Sequence, residues 1–296
     1  MYYRRLGNTG LLVSEIGFGT IPVLQGDIPV LPAYFDLDEQ QALAVMDYAL
    51  HLGCNLYDTA IVPEYGDAEI KLGRFAACAG RDKIIISDKA RFFGGSEMYR
   101  AVETSCENLG THPDIYFAHQ VEAAHEDEVF GRGGALDALA ELKAEGKIRF
   151  AGIATHYYDI LLRGAQDDRV DVLQGSGNLL ERGMLDRIRG EACFRGKGFL
   201  VNKVYAAGLL PARFSEKSLI GFALSYPVSS VLIGLGTRAQ VDAAMGWDPR
   251  NPEPAVPDFD EVLSVLEKEY MPIPCDRCQR CVCPHGTEIH TLFRQY

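Results

Sequence analysis

Asp58, Tyr65, Lys89 and His119 are four polar residues with complementary acid–base chemistry, and each follows a short run of apolar, β-branched or aromatic residues. CNLY precedes Asp58, KIIIS precedes Asp88 and Lys89, DIYFA precedes His119, and Tyr65 stands on the loop after the first run. Asp58, Lys89 and His119 recur at intervals of about 30 residues, the length of one strand–helix unit in a repeating α/β architecture. Side chains so placed converge on one mouth of a fold. A phenol of ordinary pKa about 10 becomes a useful acid when a cation lies beside it, and an aspartate keeps that cation charged and oriented. A histidine alongside positions a carbonyl oxygen by hydrogen bonding. The chemistry these residues suit is carbonyl reduction: hydride comes from a cofactor while a placed acid protonates the oxygen, a help worth about 10² to 10⁴ in rate.

A second chemistry stands at the far end, in the run C-D-R-C-Q-R-C-V-C-P from Cys275 to Pro284. Thiols as close as Cys275, Cys278, Cys281 and Cys283 are metal ligands more often than disulfides in a sequence without marks of secretion. In extended chain, residues two apart project to one side about 6 to 7 Å apart, so the short gap between Cys281 and Cys283 still spans two corners of a 4Fe-4S cube. Zinc, held by all four thiols or by three with His285 or His290, is the competing metal. The paired two-residue gaps and the proline after the last cysteine favour iron–sulfur.

The elements that must carry these groups are legible in the same way. YYRRLGNTGLLVSEIGFGT reads as a hairpin turning at Asn8 to Gly10, followed by a first strand ending near Gly17 to Gly19. The Pro-containing IPVLQGDIPVLPAYF is a long loop of the kind that builds active-site walls, and an amphipathic helix follows near Leu37 to Leu52. Helices near Ala68 to Ala79, Ser96 to Leu109 and Gly134 to Glu145 separate the strands already named from KIRFAGIA, and Gly146 stops the last of them. Further strands are expected at Val170 to Gln174, Gly198 to Val201 and Ser230 to Ile233. Eight strands with intervening helices favour a (β/α)8 TIM barrel, an α/β fold, over an open doubly wound sheet. Beyond Gly246 the Pro- and Asp-rich WDPRNPEPAVPDFD reads as a linker, leading to a short helix, Phe259 to Glu269, and the cysteine run. The expected organisation is a barrel over 1–246 with an N-terminal hairpin, and a C-terminal metal-binding extension over 247–296.

Composition narrows the function. With 29 Lys and Arg against 41 Asp and Glu, the formal charge of −12 argues against nucleic acid and against an anionic membrane as partners. No apolar stretch reaches the roughly 18 to 20 residues that span a bilayer, and MYYRRLGNTG lacks the apolar core of a signal peptide, so a cytoplasmic location is expected. Cys54, Cys78, Cys106 and Cys193 are scattered and expected to be reduced and packed. His51, His112, His125 and His156 have no partner spacing and are expected to be surface or packing residues, Glu64 reads as a solvated loop residue, and Trp247 is expected to pack against the linker.

The segments NLYDTA, PEYGDAEIKLG, IIISDK and DIYFAHQ resemble the Asp, Tyr, Lys and His motifs of the aldo-keto reductase superfamily. RRLGNTGLLVSEIGFGT, VDVLQGSGNLLERG and YPVSSVLIGLGTRAQVD are similar to other signatures of that superfamily, and the likeness runs collinearly from Tyr3 to Ala244. It implies Tyr65 as the acid, Asp58 and Lys89 as its tuning pair, His119 as the substrate-orienting residue, and a small carbonyl or alcohol as substrate. It also implies NADPH or NADH bound extended across the barrel mouth without a glycine fingerprint, met by Gln174 and Asn178 near the nicotinamide and by Gly234, Thr237 and Arg238 near the phosphates. Arg238 is the natural bidentate partner of a 2′-phosphate. Three departures bear on the cofactor: Ala154-Thr155-His156 replaces a usual Ser-Asn pair, Gln240 to Ala244 lacks the usual Glu-Asn pair, and VNKVYAAGLLPARF is a short clasp, which predicts fast cofactor exchange. The cysteine run resembles ferredoxin-like tails carried by a subset of the superfamily. Two other functions stay open on sequence alone: an iron–sulfur electron-transfer protein with a redox partner, and a noncatalytic nucleotide-binding module.

Overall fold

The computed structural model describes residues 1–25 and 36–251. The expected helix Phe259 to Glu269, Cys275, Cys278, Cys281, Cys283, His285 and His290 lie outside the described residues. In chain order the elements are β1 Tyr3–Arg5, β2 Leu12–Ser14, β3 Ile16–Gly19, α1 Glu39–His51, β4 Leu56–Asp58, α2 Ala68–Ala79, β5 Ile85–Ala90, α3 Gly95–Leu109, β6 Ile115–His119, α4 Glu126–Phe130, α5 Ala135–Ala144, β7 Phe150–Ala154, α6 Tyr158–Gln166, β8 Val172–Ser176, α7 Gly183–Gly190, β9 Gly198–Asn202, α8 Glu216–Leu224, β10 Ser230–Gly234 and α9 Arg238–Met245. β3 to β10 close a parallel barrel in sequence order, with β10 pairing back onto β3. All eight strand expectations are met, and the four helices located from sequence agree with α1, α2, α3 and α5 to within about two residues.

The strands alternate side chains between two apolar layers. Leu56, Ile85, Ile115, Phe117, Val172, Leu200 and Leu232 point into the barrel, where Leu6 and Val13 of the β1–β2 hairpin join them and plug its N-terminal end. Tyr57, Ile86, Tyr116, Ile153, Leu173 and Val201 point outward against the helices. Each fully buried aliphatic side chain in these layers contributes about 1.5–3 kcal/mol. Gly7, at φ +51°, permits the hairpin's close approach: a Cβ there would lie 2.3 Å from the Gly198 nitrogen.

The chain keeps its contacts past Gly246. Trp247 packs on Gly221 of α8, where an added Cβ would meet its ring at 2.8 Å. Its indole donates to Glu15 at 3.1 Å, and Asp248 accepts from the Tyr2 hydroxyl at 2.7 Å. Trp247 therefore covers the barrel wall, and the linker residues beyond 251, its expected packing partners, lie outside the described residues. No helix among the described residues is long and apolar enough to cross a membrane.

Candidate active site

Strand alternation explains why the chemistry gathers in one place. Asp58 sits two residues above Leu56, Lys89 and Ser87 above Ile85, His119 two above Phe117, and Gln174 two above Val172, so all share the inward face. Apolar residues fill the lower layers and polar ones form the top layer, at the strands' C-terminal ends.

Lys89, 1% exposed, donates to Asp58 Oδ2 at 2.5 Å and to the Thr59 carbonyl at 2.8 Å. Asp58 Oδ1 accepts from Ser87 Oγ at 2.7 Å and from Gln174 Nε2 at 2.9 Å. The carboxylate thus has three side-chain donors, which is what a buried charge requires. Burial alone would lower the Lys89 pKa, but the charges of Asp58 and Tyr65 outweigh it and raise it above 10.5. Tyr65 stands on the turn Pro63–Tyr65, its ring 5.3 Å from Lys89 Nζ. Burial raises the phenol above 10.0, and Lys89 pulls it down without cancelling that effect. The sequence-based expectation of a lowered phenol is corrected: Lys89 acts in the expected direction and desolvation wins. Tyr65 is consequently a protonated donor throughout the neutral range. His119 is held well below 6.5 by burial and then by the positive charge of Lys89 and its neighbours, so its imidazole is neutral. Its Nδ1 has no hydrogen-bond partner among the described residues.

Several contributors escaped the sequence reading. Glu64, expected in solvent, pairs with Arg91 at 3.0 Å, tying the Tyr65 turn to the segment just beyond β5. His125 stacks on Phe93 at 3.8 Å on the same rim, a packing role of the kind expected for it. Gln120, Lys203, Ala206 and Ala207 take φ between 46° and 58°, and all stand in loops that follow β6 or β9 at the mouth. Left-handed backbone at a non-glycine residue costs about 1–2 kcal/mol and concentrates at functional sites.

Residues 15–243 match the profile of the aldo/keto reductase family. The chain belongs to that family. Similar proteins include L-galactose dehydrogenase of Arabidopsis thaliana, 34% identical over 168 residues that cover 53% of this chain and 49% of the relative. NADH-specific methylglyoxal reductase of Escherichia coli is 27% identical over 201 residues, 60% of each chain. The matched stretch is therefore about half to three fifths of these relatives' length. A solved aldo-keto reductase from Pseudomonas aeruginosa superposes with TM-score 0.71 at 26% identity, over 82% of this chain and 93% of the other. The holo aldo-keto reductase of Bacillus halodurans shares the fold, with TM-score 0.74 at 22% identity over 94% of this chain and 99% of the other.

The aldo/keto reductase mouth fits a nicotinamide. Gln174 Oε1 and Asn202 Oδ1 are buried acceptors with no partner among the described residues, suited to the N–H groups of a carboxamide. Gln174 has a second role that its sequence position did not announce, holding Asp58. Asn178 is 1% exposed and spends most of its polarity on the chain: it donates to the Lys203 carbonyl at 3.1 Å and accepts from Leu180 and Glu181 nitrogens at 2.9 and 3.0 Å. Thr155 is committed likewise, donating to the Val121 carbonyl at 2.6 Å. Gly234 ends β10, exposed at the mouth. Thr237 caps α9, and Gln240 returns its Oε1 to the Gly236 and Thr237 nitrogens at 2.8 and 3.1 Å. Gln240 thus occupies the amides that an anion at this helix start would need. Arg238, exposed, lies over the Tyr48 ring at 4.7 Å. Cys54, Cys78, Cys106 and Cys193 are free thiols, and burial pushes the Cys54 thiol up to about 11. No group of three or more metal-ligating side chains occurs among the described residues.

Proposed function

We propose that this chain is a nicotinamide-dependent carbonyl reductase, reversible as an alcohol dehydrogenase, in which Tyr65 moves the proton. A bound NADPH or NADH supplies the hydride. Tyr65 gives its phenolic proton to the carbonyl oxygen, Lys89 balances the phenolate that results, and Asp58 keeps Lys89 charged and in place. Neutral His119 donates a hydrogen bond to the same oxygen and fixes which face of the carbonyl is presented. The observation that carries this reading is the buried Lys89–Asp58 pair with the Tyr65 ring beside it at the mouth. An electron-transfer scaffold or a noncatalytic module has no use for a buried ion pair built against a phenol.

Small aldehydes and polyhydroxylated alcohols are the proposed substrate classes, after the names of the Escherichia coli and Arabidopsis relatives. Arg238 supports NADPH, while the Gln240 cap on the phosphate-side amides supports weak retention, so use of both nucleotides is proposed. The C-terminal reading stays a proposal from spacing alone: Cys275, Cys278, Cys281 and Cys283 hold a 4Fe-4S cluster, with zinc as the competing metal. The experiment is anaerobic purification with iron, zinc and sulfide analysis, followed by NADPH and NADH titration and a carbonyl panel. Carbonyl-dependent nucleotide oxidation is expected. Failure to bind either nucleotide sinks the reductase reading, and colourless zinc protein sinks the cluster.

A further inference from the structure

Behind Lys89, on the other face of β5, lies a buried acidic pair that the hydride chemistry does not use. Ser87 and Lys89 point into the barrel, so Asp88 points outward into the helix layer, where it is 0% exposed. Its Oδ1 accepts the Lys89 backbone N–H at 2.7 Å. Its Oδ2 finds no donor among the described residues, and neither does Glu69 Oε1. Glu69, on α2 and 3% exposed, has its Oε2 occupied by Asn108 Nδ2 of α3 at 2.6 Å.

Two buried carboxyls whose charges act on each other, each with one oxygen lacking a donor among the described residues, cannot both be ionised. Among the described residues, the side chains that α3 and β6 bring towards Asp88 include no cation. From α3 come Ser105, Cys106 and Asn108; from β6 comes Tyr116, its register partner, whose hydroxyl is engaged with Ser105 at 2.8 Å. Lys89 is charged but faces the other way, held by Asp58. Lys147, Glu103 and His112 lie farther out, around Cys106.

We propose that Asp88 is protonated at neutral pH and donates to Glu69, so that one negative charge is shared by the pair and kept off the back of Lys89. Asp88 is then a positioning residue for the hydride chemistry. Its Oδ1 fixes the backbone of Lys89, and its neutrality leaves Tyr65 tuned by Lys89 and Asp58 alone. Burial, and then the charge of Glu69, push its carboxyl well above 3.8. Ionised Asp88 would raise the Tyr65 phenol further, because a like charge nearby disfavours phenolate. The functional half of this inference rests on Tyr65 as the acid; the proton itself does not.

The test combines infrared spectroscopy in D₂O with the pH profile of carbonyl reduction, on full-length wild type, Asp88→Asn and Glu69→Gln. Wild type is expected to show, at neutral pH, a neutral carboxylic acid C=O stretch that Asp88→Asn abolishes. Glu69→Gln removes the acceptor of the Asp88 proton and the second of the two causes that hold it, so the band shifts in frequency and titrates at a lower pH than in wild type, and the basic limb of kcat/KM moves up once Asp88 ionises. Asp88→Asn leaves that limb where wild type has it. A wild type with no acid band beyond those of Asp88→Asn overturns the proposal, even if both variants misfold. Equal limb shifts in the two variants overturn the tuning role. A wild type that binds nucleotide yet reduces no carbonyl sinks the reading of Tyr65, and the band alone then decides whether Asp88 is neutral.

Discussion

Replacing Lys89 by Met tests the ion pair at its root. Met matches the lysine stem in length, so the change removes a charge and leaves little cavity. Asp58 is then stranded at 4% exposure with only the Ser87 and Gln174 donors, both of which it already has in the wild type. Breaking a buried pair by removing one partner costs about 3–5 kcal/mol, so the melting temperature should fall on the order of 10 °C. Asp58→Asn alone costs somewhat less, because a stranded lysine can shed its proton. The double variant Lys89→Met/Asp58→Asn holds no unpaired charge and should recover at least about 2 kcal/mol of the summed losses. Urea midpoints for the four proteins close the cycle. The sign with pH follows from Asp58. In Lys89→Met the buried carboxylate has lost its cation, and taking up a proton relieves the unpaired charge. The destabilisation should therefore shrink on acidification. Additivity within about 0.5 kcal/mol, or a loss independent of pH, refutes the reasoning.

Arg91→Ala should cost no more than about 1 kcal/mol of stability, because the Arg91–Glu64 pair is partly solvated, yet it should lower kcat by loosening the Tyr65 turn; steady-state kinetics beside a melting curve separate the two. Arg238→Ala should raise the KM for NADPH about tenfold or more and leave NADH nearly unchanged, since a charged hydrogen bond to a phosphate contributes about 1.5–3 kcal/mol. Because His119 is held well below 6.5, kcat/KM should show no loss attributable to His119 protonation between neutrality and that value, checked against His119→Gln. Asp88, whose folded pKa is raised above 3.8, contributes stability that is full below that value and declines as pH rises toward the folded pKa; Asp88→Asn should flatten this part of the urea stability profile.

The barrel was legible because a parallel strand buried on both faces reads as a short β-branched or aromatic run, and such runs recur here at the length of one strand–helix unit. Asp58, Lys89 and His119 were legible for the same reason, each breaking an apolar run at its C-terminal end. The partners that tune them were not. Gln174 reaches Asp58 across the barrel lumen, and Arg91 reaches Glu64 across two loops. Such contacts depend on which face a side chain takes and on three-dimensional closure, which local spacing does not encode. The direction of the Tyr65 shift failed for a related reason: proximity of Lys89 follows from strand spacing, whereas the depth of burial is set by loops from several strands. Gln240, marked in sequence only by what it replaces, turns out to cap α9.

Single-turnover oxidation of NADPH and NADH by a small aldehyde, wild type against Tyr65→Phe, tests proton donation by Tyr65 most directly. Phe keeps the ring and leaves Lys89 its bonds to Asp58 and Thr59, so nucleotide affinity and melting temperature should be nearly unchanged. The hydride-transfer rate should fall about 10²- to 10⁴-fold. A Tyr65→Phe variant that turns over at the wild-type rate would contradict the account.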